Sequence, residues 1–399
     1  MQKELERAYQ YWMICIPGMG RKSYQKLLDK GITPKELYFM QKENIEKLLK
    51  EKIISHSLYK EVILAKAQNV EEEYQNMVNS GIRFVVLGEE NYPQKLRCIP
   101  DSPLALYYYN SLPKEENYSV AIIGARNCSE YGKYVAEELG KTLAKENITV
   151  ISGLARGIDG MSQMSAAKNG GSVYAVLGCG VDVCYPKSNE ALYEMLKKGE
   201  NQGIISEYPP GTLAKPHLFP PRNRIISGLS DAVVVIEAKQ ESGTLITVDM
   251  ALEQGKEIYA LPGRVTDRLS DGCNRLIKDG ALVFLSPKEF VEDLKEGGRI
   301  RAGDSLDQRK TMSIKSSYNK EGMNIIHQRI PLMEPSEPKG LLSDKEKEIY
   351  KALDIVPQSV EKLLSKVPNL TLEELLQQLM MLQAKGVVSC VGNAYRREI

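Results

Sequence analysis

Between residues 81 and 294, short runs of β-branched and other apolar residues alternate with longer stretches of helical periodicity, and this alternation restricts the chain more than any other feature. The runs at 84–87, 120–123, 149–151, 173–177, 203–206, 232–236, 257–261 and 281–285 are mostly continuous in apolar character. Strands of that kind are covered on both faces. Helical spacing fills most of the intervals, for example over 130–146, 191–198 and 245–254. Strands joined by such helices pair in parallel through right-handed crossovers. The fold class expected is therefore α/β, with a Rossmann-like, doubly wound, mostly parallel sheet. Ligands of such sheets sit outside the carboxyl ends of the strands, so the functional reading begins there.

The flanks differ in character. Residues 1–78 carry helical periodicity without a convincing strand, and residues 341–399 return to helical spacing and end in a small hairpin. The division expected is a helical module over 1–78, a Rossmann-like domain over 79–294, a polar flexible linker over 295–340 and a helical C-terminal domain over 341–399. A length of 399 residues agrees with several cores. No apolar run reaches the about 18 residues of a membrane span, and the first residues lack a signal-peptide apolar block. Seven cysteines are scattered without C-x-x-C spacing, and Cys179 and Cys184 have no nearby histidine. Reduced thiols in a cytoplasmic protein, with no metal site and no cofactor, are the expectation. Net charge is +1, so any phosphate-binding surface has to be a local patch.

At the strand ends the residues become specific. Gly124-Ala125-Arg126 follows the second run, and Arg126 occupies the place where a dinucleotide fingerprint needs its second glycine. The next strand ends in Ser152-Gly153 rather than in the acidic residue that would hold a ribose, so a dinucleotide is disfavoured. Helix N–H groups and a guanidinium still suit an anion. Residues 152–160 combine small residues, an arginine and three glycines, which reads as a tight phosphate nest, with Asp159 expected to cap the following helix. Lys187 stands just beyond the fourth strand end, and a ligand contact and a solvated surface lysine are equally open there. Pro220 and Pro221 preset a helix start that places Arg222, Asn223 and Arg224 in its first turn. Two arginines at a positive helix end call for an anion. Phe219 either stacks on a base or packs beneath the loop. In the last turn of interest, 237–244, Ser242 caps a helix and the Gly243 and Thr244 amides face a ligand.

The segments AIIGARNCSEYG, VISGLARGIDGMSQMSAA, AVLGCGVDVCYPKSN, ISEYPPG, FPPRNRIISGLSDAVVVIEA, SGTLITVDMALEQGKEIYALPG and GCNRLIKDGA, in unbroken order, resemble the DNA processing protein A (DprA/Smf) family. The resemblance implies a Rossmann-like domain that binds single-stranded DNA, forms a homodimer and helps load RecA recombinase during natural transformation. It carries strand contacts onto Arg126, Lys187, residues 222–224 and Lys239, with backbone contacts from residues 152–155. The segment 15–23 is similar to a helix-hairpin-helix or SAM-like hairpin, although Gly18, Gly20 and Lys22 are not expected among the principal contacts. Residues 341–399 are similar to a winged helix. That stretch holds eight basic and eight acidic residues, so a protein-interaction role is as open for it as a DNA-reading one.

Three functions follow. The first is a non-enzymatic, sequence-tolerant single-strand binder using Arg126, Ser152, Gly153, Leu154, Lys187, Phe219, Arg222, Asn223, Arg224, Lys239, Gly243 and Thr244. The second is a nucleotide-processing enzyme of the phosphoribohydrolase kind, whose loop places a glutamate where this chain has Thr247; the usual acid/base group is then missing. The third is a scaffold that recruits a recombinase, which is compatible with the first.

Overall fold

The computed structural model describes residues 2–303, 343–353, 358–385, 387–391 and 394–397, and the chain falls into two compact units, Met1–Met312 and Ser313–Ile399. The first unit opens with six helices: α1 (Gln2–Cys15), α2 (Arg21–Asp29), α3 (Pro34–Phe39), α4 (Lys42–Lys50), α5 (His56–Ala65) and α6 (Val70–Asn79). Their starts are written in the sequence. Thr33 and Glu36 form a reciprocal capping box, and Ser55 and Asn69 cap α5 and α6 by accepting backbone N–H groups. Trp12 is buried and donates its indole N–H to Ala65 O at 2.9 Å, tying α1 to the end of α5.

The sheet follows, with β1 (Ile82–Val86), α7 (Gln94–Arg97), β2 (Ala105–Asn110), β3 (Ser119–Ile123), α8 (Glu130–Lys145), β4 (Thr149–Ser152), α9 (Ile158–Lys168) and β5 (Val173–Leu177). Next come α10 (Glu190–Lys198), β6 (Gln202–Ser206), α11 (Phe219–Gly228), β7 (Ala232–Val235), α12 (Gly243–Glu253), β8 (Glu257–Ala260), α13 (Asp271–Lys278), β9 (Leu282–Val283) and α14 (Pro287–Gly303). The described residues build a nine-stranded sheet in the order β1-β2-β6-β5-β4-β3-β7-β8-β9. Pairing is parallel from β6 to β9 and antiparallel for β1–β2 and β2–β6. The mostly parallel α/β sheet is thus present, and β2 is an addition to the strands read from sequence. Three consecutive tyrosines form β2, and Tyr107 and Tyr109 pack into the core shared with Tyr11 and Trp12 of α1. Its strand character comes from a tertiary partner, which local periodicity does not display.

Alternate residues of each central strand serve two different cores. Val120 and Ile122 of β3 face the core shared with α8, α9, α10, α14 and the N-terminal helices, whereas Ala121 and Ile123 face the core built with α7, α11, α12 and α13. The order reverses at β3: β4 to β6 continue to one side, β7 to β9 to the other. The crevice of a doubly wound sheet opens at such a switch point. At the far edge, Arg7 of α1 donates to Phe84 O at 2.6 Å and lies 3.8 Å from the Phe84 ring centroid, covering β1.

α14 runs through Gly303, past residue 295 where the sequence reading begins a linker; residues 304–340 of that linker lie outside the described residues. The second unit holds α15 (Asp344–Ala352), β10 (Gln358–Ser359), α16 (Val360–Lys366), α17 (Leu372–Ala384), β11 (Val388–Val391) and β12 (Ala394–Arg397), with an antiparallel sheet in the order β10-β12-β11. Ile349, Leu363, Leu375, Leu379 and Leu382 form its core.

Candidate nucleic-acid interface

A cleft of about 210 Å3 opens at the carboxyl ends of β3, β4 and β5, lined by Arg126, Gly153, Ala155, Arg156, Tyr185, Pro186, Ser188, Phe219 and Arg222. Five of the residues singled out from sequence meet here: Arg126, Gly153, Ala155, Phe219 and Arg222. Arg126 and Arg156 are exposed, and neither has a hydrogen-bonding or ion-pair partner among the described residues. The Phe219 ring is half-buried over Gly178, where an added Cβ would lie 2.8 Å from the ring. It pairs with Tyr185 at 5.5 Å between centroids and 44° between planes, and the Arg222 guanidinium carbon lies 5.7 Å from its centroid. Tyr185 is half exposed. Sequence reading missed Arg156 and Tyr185 as site residues, although both stood inside the segments quoted. Tyr185 had no periodicity to mark it, and Arg156 was read only as part of a glycine-rich turn.

The loop after β4 is built differently from the expectation. Ser152 donates its hydroxyl to Ile122 O at 2.6 Å, Gly153 N–H goes to Asp159 at 3.1 Å, and Leu154 N–H goes to Gln163 at 3.0 Å. These donors are committed inside the protein, so Ser152, Gly153 and Leu154 do not offer them to a ligand. Leu154, at φ 56°, is held in the left-handed region by that pairing and by Asn189, whose amide donates to Leu154 O and Ala155 O at 2.9 Å each. The N–H groups of Ala155, Arg156 and Gly157 have no acceptor among the described residues. The open amides of the 152–160 turn are therefore those of residues 155–157. Gly157 is required there: its φ is 77°, and a Cβ would stand 2.2 Å from Ala125 O. Asp159 is not a cap; Gly157 holds that position, and Asp159 lies buried in the first turn of α9.

Arg222 and Arg224 are both buried, and each is satisfied within the chain. Arg222 donates to Gly153 O at 3.1 Å and to Val176 O, and Gly153 is the residue that fits between it and Asp159. Burial pulls the Arg222 guanidinium down to about 10, with the Asp159 charge opposing. It remains a cation at neutral pH at the floor of the cleft. Burial raises the Asp159 carboxyl, and the Arg222 charge draws it back. Arg224 is turned away: it meets Glu207 at 2.6 Å and Asp101 at 3.2 Å and donates to Asp101 O at 2.8 Å. Asn223 is half-buried and accepts from Arg222 Nε at 3.1 Å. The anion demanded by two arginines near a helix start is thus supplied by the protein itself.

Outside the cleft, Lys187 is exposed and paired with Glu190 at 3.1 Å, and Lys239 is exposed beyond β7. Ser242 caps α12 as expected, accepting from Thr244 N at 3.2 Å. Gly243 faces open space, and the Thr244 hydroxyl donates to Gly124 O at 3.3 Å, joining the β7 and β3 ends. Thr247 is buried. The start of α8, where a dinucleotide-binding sheet holds its pyrophosphate, is already filled. The buried Glu237 carboxylate accepts from Ser129 N at 2.9 Å and from the Ser129 hydroxyl, and a Cβ on Gly132 would lie 2.4 Å from it. A protein carboxylate there takes the place of phosphate.

The model of the DNA recombination-mediator protein A family matches residues 83–295, more than half of the chain and all of the cleft. The chain belongs to that family. It is 41% identical over 207 residues to "DNA processing protein DprA" of Streptococcus pneumoniae, covering 52% of this chain and 72% of the relative. It is 37% identical over 217 residues to the protein of the same name from Bacillus subtilis, covering 54% and 72% respectively. An X-ray structure of DNA processing protein A from Streptococcus pneumoniae superposes with a TM-score of 0.60 at 30% identity, covering 71% of this chain and 97% of that one. The family match ends within α14, and the second unit lies beyond it. Among the described residues no helix is long and apolar enough to cross a membrane, and no cluster of potential metal ligands occurs.

Proposed function

We propose that this recombination-mediator family member binds single-stranded DNA in a sequence-tolerant way through the cleft at β3, β4 and β5, protects it and helps load RecA recombinase during natural transformation. The observation that carries the reading is the pair of exposed, unpartnered guanidiniums of Arg126 and Arg156 beside the open N–H groups of residues 155–157. Phosphate fits that set, Arg222 adds charge from below, and the half-exposed Tyr185 ring, tilted against Phe219, offers an aromatic face to a base. Lys187, Lys239, Gly243 and Thr244 extend the set around the strand ends, and Asn223 and Arg224 support it from behind. No step in this reading is catalytic, and it needs no cofactor.

The chain acts as a homodimer in the cytoplasm in this reading. Support for pairing comes from the open edge of the sheet, where Leu282 is 46% exposed, Val283 42% and Leu285 64%, and from Val265, 89% exposed in the loop after β8. The 341–399 segment is read as a winged helix with a protein partner, because α17 carries no lysine or arginine and exposes Leu372, Met380 and Met381.

The test is a gel shift with single- and double-stranded oligonucleotides, run with the wild type and with Arg126→Ala. Preferential retardation of single strands is expected, lost or strongly weakened in the variant. With about three to five charge contacts, the logarithm of the binding constant falls against that of salt with a slope of roughly −2 to −4. A slope near zero, or equal retardation by wild type and variant, overturns the proposal.

A further inference from the structure

We infer that the same single strand has a second base-stacking subsite, formed by Tyr131 and Tyr134 of α8 with Lys239 at the end of β7. This rests on the strand-binding reading above and extends it from the β3–β5 cleft across the switch point to β7.

Tyr131 and Tyr134 are 53% and 64% exposed, and their spacing of three residues sets them one above the other on one face of α8. Neither ring meets another aromatic ring, and neither hydroxyl has a hydrogen-bond partner among the described residues. Many other tyrosines are treated otherwise: Tyr9, Tyr11, Tyr24, Tyr92, Tyr107, Tyr109, Tyr174, Tyr193 and Tyr259 are all buried. α8 begins four residues after Arg126, so its first turn, which carries Tyr131, follows the cleft directly in the chain. Their helix start is fixed. Ser129 caps it, the Glu237 carboxylate binds Ser129 N–H and hydroxyl, and Gly132 closes on that carboxylate. Tyr131 adjoins Gly132, which packs on the Glu237 carboxylate, so the first turn of α8 lies at the β7 end; burial, and then the Glu237 charge, raise the Tyr131 hydroxyl.

Lys239 lies two residues beyond Glu237, exposed and with no acid partner among the described residues. Glu130 and Glu241 also stand in this region, so stacking rather than net charge has to supply the gain. From the β4 end to the β7 end is two strand spacings, about 10 Å. Nucleic-acid grooves that tolerate any sequence are built in this way, from cations alternating with aromatic faces.

The test uses the full chain, an oligothymidylate of about twelve nucleotides and an abasic strand of the same length, titrated by fluorescence anisotropy at low salt. For the Tyr131→Ala, Tyr134→Ala double variant, affinity for the base-bearing strand is expected to fall roughly ten-fold, while affinity for the abasic strand stays level. The Tyr131→Phe, Tyr134→Phe variant keeps the wild-type ratio, because a phenyl face stacks as well. Arg126→Ala weakens both strands. Equal losses on both strands would mean that the tyrosines act on helix shape or backbone contact, and no loss on either would leave them to a protein partner; each result overturns the subsite. Wild-type protein that binds neither strand overturns the strand reading itself, and the subsite with it.

Discussion

Arg222 and Arg224 stand two residues apart on one helix and illustrate what residue-level reading reaches. Their position beyond Pro220 and Pro221 was legible, and so was the need for an anion, which was read as a ligand. The partners were not, because Glu207, Asp101, Gly153 O and Val176 O come from distant parts of the chain. Arg126 carries the opposite lesson: its displacement of a fingerprint glycine marked it, and the structure leaves it free. The two kinds of arginine separate experimentally. Arg224→Met leaves Glu207 without its partner and lowers unfolding free energy by about 2–4 kcal/mol in urea titration. Arg126→Ala, at an exposed position, stays within about 0.5 kcal/mol of wild type in the same measurement while losing DNA affinity. Asp159 sets a pH dependence. Its folded pKa is raised above the ordinary 3.8, so the folded state holds its proton longer than the unfolded chain does. Its contribution therefore falls as pH rises from about 4 through the folded value. Thermal midpoints measured across that window should lose this component in Asp159→Asn.

Elements were legible where one face or both faces of a segment are apolar by themselves. β3, β5 and β7 are continuous apolar runs, and each ends within a residue or so of its reading. β2 escaped because tyrosines serve strand, helix and loop alike until Tyr11 and Trp12 arrive to pack on them. The backbone contacts expected from 152–154 escaped for a similar reason: the composition of 152–160 announces a turn, but Asp159 and Gln163 decide which of its amides remain open. In the second unit, α17 starts with a capping box in which Thr371 and Glu374 satisfy each other's backbone groups. Hydrogen bonding by Thr371 N–H and then the Lys345 ammonium lower the Glu374 carboxyl to about 2 from an ordinary 4.5. A depressed folded value means that its contribution is complete above about 4.5 and is lost as pH falls toward about 2. Hydrogen exchange at the α17 amides in the full chain should quicken over that range, and Glu374→Gln should flatten the change. Thr371→Ala should destabilise the same helix by about 1 kcal/mol at neutral pH.

At the scale of the whole molecule, the parallel order and the edge exposed at β9 dominate. If the chain pairs through that edge, a charge placed on it, Val283→Asp with Leu285→Asp, gives a monomer in light scattering where the wild type gives a dimer. A monomeric wild type would count against the pairing. The parallel pairing was readable because helices and strands alternate strictly after residue 119, whereas the merging of the six N-terminal helices with one face of the sheet depends on contacts such as Tyr107 with Cys15. One residue also sets how the molecule behaves in a cell filled with free nucleotides. Glu237 is tethered to the strand end beside the α8 start, so its effective concentration there is millimolar or more, as for any short intramolecular link. A mononucleotide arriving from solution must compete with a tenant that never leaves. The fold can thus work amid nucleoside triphosphates without being titrated by them at the helix start where dinucleotide-binding sheets hold a pyrophosphate.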